Sequence, residues 1–297
     1  MARKHILHML TPLKHMSPFD VNMALDAGFD AVIPYTGVSL DEVTGLVQDA
    51  IFSRPPDAGA DTGVFIAGKD ASLALDMLDA AKKAMVPPFR VSVFADPAGS
   101  FTTAAAMVAK VEKALKKSFD RDLAGARIAV FGATGVVGFC TAVIAASEGA
   151  KVTIVGYNGV ERVRTIAAEI KNRFKVDVAV ADGSADAGKQ AVVSASEVIL
   201  SCAKAGVQVI SAAHLRDEGL LIAADVNAVP PAGIEGLAVN SDGDRIDATK
   251  IVGIGPLAIG NVKYKVEAGL FKKMIEANKP VTFDFQDAFS LAREFAK

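Results

Sequence analysis

The chain has 297 residues, of which 51% are hydrophobic and 22% charged, a composition that favours a large folded core and excludes a disordered chain. Its net charge of −2 argues against a dedicated nucleic-acid binder, which needs a basic surface. The sequence shows no membrane span, no signal peptide and no metal-ligand spacing around Cys140, Cys202 or the histidines, so we expect a reduced cytoplasmic protein without a metal site.

Short apolar runs alternate with longer amphipathic stretches along the whole chain. This alternation is typical of βαβ units, so we predict an α/β fold with parallel sheets. The predicted strands lie at residues 4–9, 31–34, 63–67, 90–95, 127–131, 151–155, 176–180, 197–200, 220–224 and 250–254.

The predicted elements fall into two domains. A helix predicted from residue 100 to 117 is followed by a polar hinge at 120–125, after which a new βαβ unit begins. We therefore predict an N-terminal α/β domain with a parallel sheet at 1–122 and a second α/β domain at 123–261. Residues 262–297 form two further helices that we expect to pack back on the first domain. Ligand sites lie preferentially at domain interfaces, so we expect the functional site in the cleft between the domains.

The sharpest motif is a glycine-rich turn between the strand at 127–131 and a helix predicted at 136–147. Glycines at the first, fourth and seventh positions suit a tight turn, a close approach to a pyrophosphate and close helix packing. The free N–H groups and positive dipole end of the helix favour phosphate binding there. We therefore predict that 123–261 is a Rossmann-type NAD(P)-binding domain, with cofactor contacts at Gly132, Thr134, Gly135, Val136 and Val137. An ordinary strand–helix turn is the alternative.

The next strand ends at Tyr157 and Asn158, where an NAD enzyme usually carries an acid for the ribose hydroxyls. Because no acid repels a 2′-phosphate here, both NAD and NADP remain possible, and we assign Tyr157 and Asn158 to the cofactor site. Arg162 and Arg164 follow on the next helix, where they are either phosphate ligands or ordinary surface residues.

Three later loops also follow predicted strands and so are expected at the same sheet edge. They supply further candidates for the cofactor, namely Ser201, Ala203, Asn227 and Gly255, with ordinary sheet-edge loops as the alternative. Cys202 lies in the first of these loops, and we interpret it as a core residue rather than a nucleophile.

Six motifs occur along the chain, namely FRVS at 89–92, GSFTTAAA at 99–106, GATGVVG at 132–138, NRFKV at 172–176, NAVPPAGI at 227–234 and GNVKYK at 260–265. With these motifs the sequence resembles the bacterial NAD(P)-dependent methylene-tetrahydromethanopterin dehydrogenases of methylotrophs. The resemblance covers nearly the full chain and is closest to the form that accepts both nucleotides. The NADP-dependent sister form, which also oxidises methylene-tetrahydrofolate, has basic residues where Tyr157 and Asn158 stand here.

The resemblance implies that a methylene bridge between two pterin nitrogens gives a hydride to the nicotinamide and leaves a methenyl cation. It also implies a tetrahydromethanopterin one-carbon substrate and a homo-oligomer. We expect Asp20 and Lys263 as catalytic residues that also bind substrate, and Asp96, Ser100 and Thr102 as further substrate contacts. Simpler alternatives are a helix-terminal acid for Asp20, capping for Ser100 and Thr102, and a surface lysine for Lys263.

Lys263 is expected to open its helix, because the turn with Gly253, Gly255 and Gly260 predicts a helix start at Val262. A cation is unfavourable at a helix start, so this position suggests that Lys263 has a functional role.

Two other classes of function remain open from the sequence. One is a methylene-tetrahydrofolate or shikimate-type dehydrogenase on the same two-domain plan. The other is a non-catalytic protein that only senses a dinucleotide. An assay that compares methylene-tetrahydromethanopterin with methylene-tetrahydrofolate separates the first class from the leading interpretation, and cofactor binding without turnover indicates the second.

Overall fold

The structure is a computed structural model that describes residues 3–216, 219–247 and 249–296. Strands and helices alternate along the chain, as the α/β prediction requires. The strands are β1 Ile6–Thr11, β2 Ala31–Thr36, β3 Thr62–Ile66, β4 Ser92–Ala95, β5 Arg127–Phe131, β6 Lys151–Gly156, β7 Ala179–Asp182, β8 Val198–Ser201, β9 Ile222–Asp225, β10 Asp242–Arg245, β11 Val252–Ile254 and β12 Thr282–Phe283. The α-helices are α1 Pro18–Ala27, α2 Val43–Phe52, α3 Ala71–Ala84, α4 Ser100–Phe119, α5 Val136–Ser147, α6 Glu161–Phe174, α7 Asp186–Ser194, α8 Pro256–Glu276 and α9 Phe285–Phe295.

Each predicted strand has its counterpart in the structure, but the sequence did not indicate β10 and β12. Strand β10 has the sequence DGDR and is exposed along its length, so it carries no apolar pattern. It pairs antiparallel with β11, and Asp242 at its start forms an ion pair with Lys110. Strand β12 has only two residues, too few for a periodicity to show.

The chain divides into two compact units, at points that differ from the predicted limits. One unit is Met1–Thr102 with Tyr264–Leu291, and the other is Thr103–Lys263 with Ala292–Lys297. The first limit precedes the predicted 122 because most of α4 packs within the second unit. Met107 of α4 lies with its Sδ 3.7 Å from the Sγ of Cys202, and Glu112 accepts a hydrogen bond of 2.6 Å from Arg293.

The sheet of the first unit has the order β12-β4-β3-β1-β2, and all of its neighbouring strands pair in parallel. The carboxyl ends of its strands therefore lie at one edge, where α1 begins after β1. Ser17 caps this helix, because its Oγ accepts a hydrogen bond of 3.4 Å from the backbone N–H of Asp20. Pro18 occupies the first turn, where no N–H is required, and Gly28 ends the helix at φ 114°.

Aromatic rings form the centre of the first unit's core. Phe65 of β3, Phe94 of β4 and Phe271 of α8 are buried and lie within 5.2–5.3 Å of one another by ring centroids. Phe29 adds an edge-to-face contact with Phe271 at 6.2 Å. Phe271 therefore joins α8 to the sheet of this unit.

We expect Phe271→Leu to lower the free energy of unfolding by about 1–3 kcal/mol, because three ring contacts are lost from a site without solvent exposure. Phe52→Leu is the matched control, since Phe52 is 54% exposed, and it should cost less than about 0.5 kcal/mol. Urea unfolding of both variants measures the difference. Equal losses in the two variants would contradict the central role of Phe271.

The sheet of the second unit has the order β10-β11-β9-β8-β5-β6-β7 and is parallel except for β10. The chain runs outward from β5 through β6 to β7 and then returns to place β8 on the other side of β5. The carboxyl ends of β5 and β8 therefore flank a topological switch point, where doubly wound sheets bind ligands. Among the described residues of the chain, no helix is both long and apolar enough to cross a membrane.

Candidate functional site

The turn from β5 into α5 requires glycine at two positions because of its own packing. Gly132 has a φ of 88°, and a Cβ there would lie 2.5 Å from the carbonyl oxygen of Cys202. At Gly138, a Cβ would lie 2.4 Å from the carbonyl oxygen of Gly132. These two glycines let the backbone turn sharply and let the helix pack closely on the turn.

Gly135 differs, because no contact among the described residues requires it to be glycine. Its backbone is extended, at φ −93° and ψ 163°, and a Cβ there would lie 3.5 Å from the carbonyl oxygen of Gly132, which is an ordinary contact distance. Gly135 caps α5 without a side chain, so the first N–H groups of that helix have no side-chain cap from this position. This turn therefore fits a phosphate group that approaches the backbone closely.

A cavity of about 640 Å³ opens in front of this turn. It lies at the carboxyl edge of β5, β6, β7 and β8, which is the sheet edge predicted for the cofactor. The residues that line it are Phe131, Gly132, Thr134, Gly135, Val155, Tyr157, Arg162, Gly183, Ser184, Lys189, Cys202, Ala203, Lys204, Val207, Gln208 and Val209. A volume of this size is typical of small-molecule and cofactor sites.

The predicted cofactor residues divide into those at this cavity and those away from it. The cavity brings together Gly132, Thr134, Gly135, Tyr157 and Ala203. The others lie outside its lining, namely Val136, Val137, Asn158, Ser201, Asn227 and Gly255. Val136 and Val137 are the half-buried first residues of α5, and Asn158 is exposed directly after Tyr157.

Asn227 organises its own loop. Its Oδ1 accepts hydrogen bonds from the backbone N–H groups of Gly206 and Val229, and its Nδ2 donates to the carbonyl of Pro231 at 2.9 Å. Because these contacts occupy a buried side chain, they account for Asn227 without a cofactor.

Ser201 and Gly255 are also buried in protein contacts. The Oγ of Ser201 lies where a Cβ on Gly233 would be, and Gly255 packs on the backbone carbonyls of Ala238 and Val239. Beside Ser201, burial raises the pKa of the Asp225 carboxyl, while backbone N–H groups that donate to the carboxyl oppose this shift. Close packing therefore accounts for the glycine at 255.

In the first unit, Asp96 and Thr102 are joined by capping hydrogen bonds. Asp96 accepts bonds from the backbone N–H groups of Phe101 and Thr102 with one oxygen, and from the Oγ1 of Thr102 at 2.6 Å with the other. Both side chains are fully buried, and Ser100, which begins α4, is nearly so. These hydrogen bonds agree with the capping alternative for Thr102 and make Asp96 a cap of α4, and the predicted substrate contacts of Asp96, Ser100 and Thr102 stay predictions.

Asp20 and Lys263 occupy different helices. Asp20 is buried in the first turn of α1, where a carboxylate interacts favourably with the helix dipole. Lys263 does not open its helix, and this expectation was wrong. Helix α8 already begins at Pro256, which suits a first helical position, so Lys263 lies two turns inside it. The unfavourable interaction of a cation with the dipole at a helix start therefore gives no evidence for a role of Lys263.

Three cationic side chains line the cavity, from three different parts of the second unit. Arg162 lies in the first turn of α6 and Lys204 follows β8, while Lys189 on α7 is a site residue that sequence reasoning missed. A signal was available, since Gly183 and Ser184 come within four residues of the end of the strand predicted at 176–180. Arg164 lies outside the lining and pairs instead with Glu161 at 2.6 Å.

Cys202 contacts the cavity but is 9% exposed, and its Sγ lies near the Sδ of Met107 and the Oγ1 of Thr141. Burial raises the pKa of its thiol to about 12, so the reactive thiolate is scarce at neutral pH. In the described part of the chain, no cluster of three or more His, Cys, Asp or Glu side chains suits a metal ion.

We expect Cys202→Ala to keep kcat within about threefold of the wild type, because a protonated core thiol takes no part in the chemistry. Alkylation of the native protein at pH 8 should be slow, since Cys140 is buried as well. Both thiols should react quickly after denaturation, which serves as the control. Rapid native alkylation of Cys202 with loss of activity would contradict this interpretation.

Comparisons with known proteins agree with this geometry. A family model described as methylene-tetrahydromethanopterin dehydrogenase, N-terminal, matches residues 18–98. The NAD(P)-dependent methylenetetrahydromethanopterin dehydrogenase of Methylorubrum extorquens is 57% identical over 297 residues and all of both chains. The Bifunctional protein MdtA of that organism is 33% identical over 94% of this chain and 95% of its own. Shikimate 5-dehydrogenase from Listeria monocytogenes, solved with shikimate and NAD, covers 91% of both chains at 15% identity and a TM-score of 0.52, a likeness of fold alone.

The fold and the glycine turn define an α/β protein with a Rossmann-type unit. Identity over the full length then specifies the group. The chain belongs to the methylenetetrahydromethanopterin dehydrogenase family.

Proposed function

We propose that this chain is an oxidoreductase that transfers a hydride from methylene-tetrahydromethanopterin to NAD⁺ or NADP⁺, giving the methenyl product. The observation that carries the proposal is the 57% identity, over the whole chain, with an NAD(P)-dependent methylenetetrahydromethanopterin dehydrogenase. The open cavity in front of a glycine turn supports it independently, because it suits a dinucleotide.

The second unit has the groups that such a cofactor needs. Gly132, Thr134 and Gly135 would hold the pyrophosphate at the start of α5. Tyr157 after β6 would contact the adenosine half, and Ala203 after β8 would contact the nicotinamide half. When bound, NAD(P)⁺ supplies the hydride acceptor. The space that a side chain on Gly135 would fill is the structural feature that fits this role.

On the substrate side, the reaction makes little demand on acid–base chemistry. The methylene carbon loses a hydride and no proton, and its two neighbouring nitrogens stabilise the positive charge that develops. The task of the protein is then to orient the pterin and to stabilise a cation. We propose Asp20 for charge stabilisation and Lys263 for orientation of the pterin, each through its own charge.

An assay with the purified chain tests this function. Methylene-tetrahydromethanopterin and methylene-tetrahydrofolate are each supplied with NAD⁺ and with NADP⁺, and reduced nicotinamide is followed by absorbance. We expect turnover of the methanopterin substrate with both nucleotides. Turnover of the folate alone would support the alternative dehydrogenase, and dinucleotide binding without turnover of either pterin would support a sensing protein. The predicted homo-oligomer and cytoplasmic location stay predictions of the sequence.

A further inference from the structure

The cationic residues of the cavity are distributed unevenly around the glycine turn. Lys204 follows β8, on one side of β5, whereas Arg162 follows β6 and Lys189 follows β7, on the other side. In this type of sheet the pyrophosphate lies at the first strand and the adenosine ribose at the tip of the second, which are β5 and β6 here. Arg162 and Lys189 therefore lie on the ribose side of the cavity.

The carboxylates near Arg162 and Lys189 do not neutralise these cations, so both can bind an anion. Among the described residues that line the cavity, none is an acid. Asp186 lies 3.6 Å from the Nζ of Lys189, but this carboxylate is 86% exposed, and such pairs contribute little in water. Asp182 at the end of β7 accepts hydrogen bonds from the side chain and from the backbone N–H of Ser184, and these bonds lower the pKa of its carboxyl.

We propose that Arg162 and Lys189 form a subsite for the 2′-phosphate of NADP, so that this chain binds NADP more tightly than NAD. Arg162 supplies a planar guanidinium that can donate two hydrogen bonds to a phosphate, and Lys189 supplies a compact positive charge. Tyr157 at the strand tip replaces the acid that would repel the phosphate.

The inference rests on the proposed function only because both require a dinucleotide in this cavity. Its test therefore uses binding rather than turnover. The purified chain is titrated by calorimetry with AMP and with adenosine 2′,5′-bisphosphate, which differ only in the 2′-phosphate.

We expect the wild type to bind the bisphosphate about tenfold or more tightly than AMP. Arg162→Ala and Lys189→Ala should each reduce this ratio by about fivefold and leave AMP affinity nearly unchanged. Arg164→Ala is the matched control on the same helix, and it should keep the wild-type ratio because Arg164 pairs with Glu161 outside the cavity. Lys204→Ala should also keep the ratio, even where it weakens both ligands.

The possible results separate the two proposals. Equal affinity of the wild type for both probes, or an unchanged ratio in Arg162→Ala and Lys189→Ala, would overturn the subsite and leave the dehydrogenase function standing. The subsite would also be overturned if Arg164→Ala lowered the affinity ratio as much as Arg162→Ala and Lys189→Ala, because the effect would then come from general surface charge. Binding of neither probe would instead count against the dinucleotide cavity, and with it the proposed function.

Discussion

Gly135→Val is expected to weaken the binding of NAD and of NADP together, by about 100-fold or more, while the protein still folds. The new side chain would fill the space in which the pyrophosphate meets the backbone. The chain itself tolerates a Cβ at this position, since the nearest atom would be 3.5 Å away. Fluorescence titration with reduced nucleotides gives the affinity, and circular dichroism shows whether the fold is kept.

Gly138→Val is the matched control three residues later. There a Cβ would lie within 2.4–2.8 Å of the backbone of Gly132 and Ala133, which cannot move without breaking the turn. This variant should therefore lose stability, whereas Gly135→Val should lose affinity. If Gly135→Val bound both nucleotides like the wild type, the glycine turn would not be the cofactor site.

Most of the strands could be predicted because strands that are buried on both faces have a recognisable sequence pattern. Parallel strands covered by helices become continuous apolar runs, as in β3, β8 and β9, which are buried at every position. Strand β10 has no apolar run, because its side chains are exposed. Its pairing with β11 and the Lys110–Asp242 ion pair stabilise it instead. The start of α8 was missed because Gly253, Gly255 and Gly260 predicted a longer turn than the chain forms.

The candidate site was predictable only where a single local motif builds it. The glycines of the turn at 132–138 set its conformation, so this part of the site could be predicted from the glycine spacing. The cavity also includes Lys189, which sheet order alone brings beside β6. Ser201 and Asn227 are at the predicted sheet edge, but their side chains are buried in loop contacts. Strand and loop positions are visible in a sequence, whereas the direction of one polar side chain is not.

Asp20→Ala and Lys263→Ala are expected to lower kcat/KM by about 10–1000-fold without abolishing turnover, because neither residue acts as an obligatory acid or base. Asp20→Asn should resemble Asp20→Ala if the charge of the carboxylate is what matters. The product is a cation, so loss of this charge should affect the forward rate more than cofactor affinity. Lys265→Ala, at an exposed position on α8, is the control for Lys263 and should change kcat/KM little.

The pH dependence of kcat at saturating substrate decides whether these residues move a proton. Hydride loss from the methylene carbon releases no proton, so the profile should be shallow across neutral pH in the wild type and in both alanine variants. Cys202 adds no titration in this range, because burial raises the pKa of its thiol to about 12. A steep bell with two enzyme pKa values, abolished by substitution of Asp20 or Lys263, would identify a true acid–base residue. The proposed roles in orientation and charge stabilisation would then be wrong.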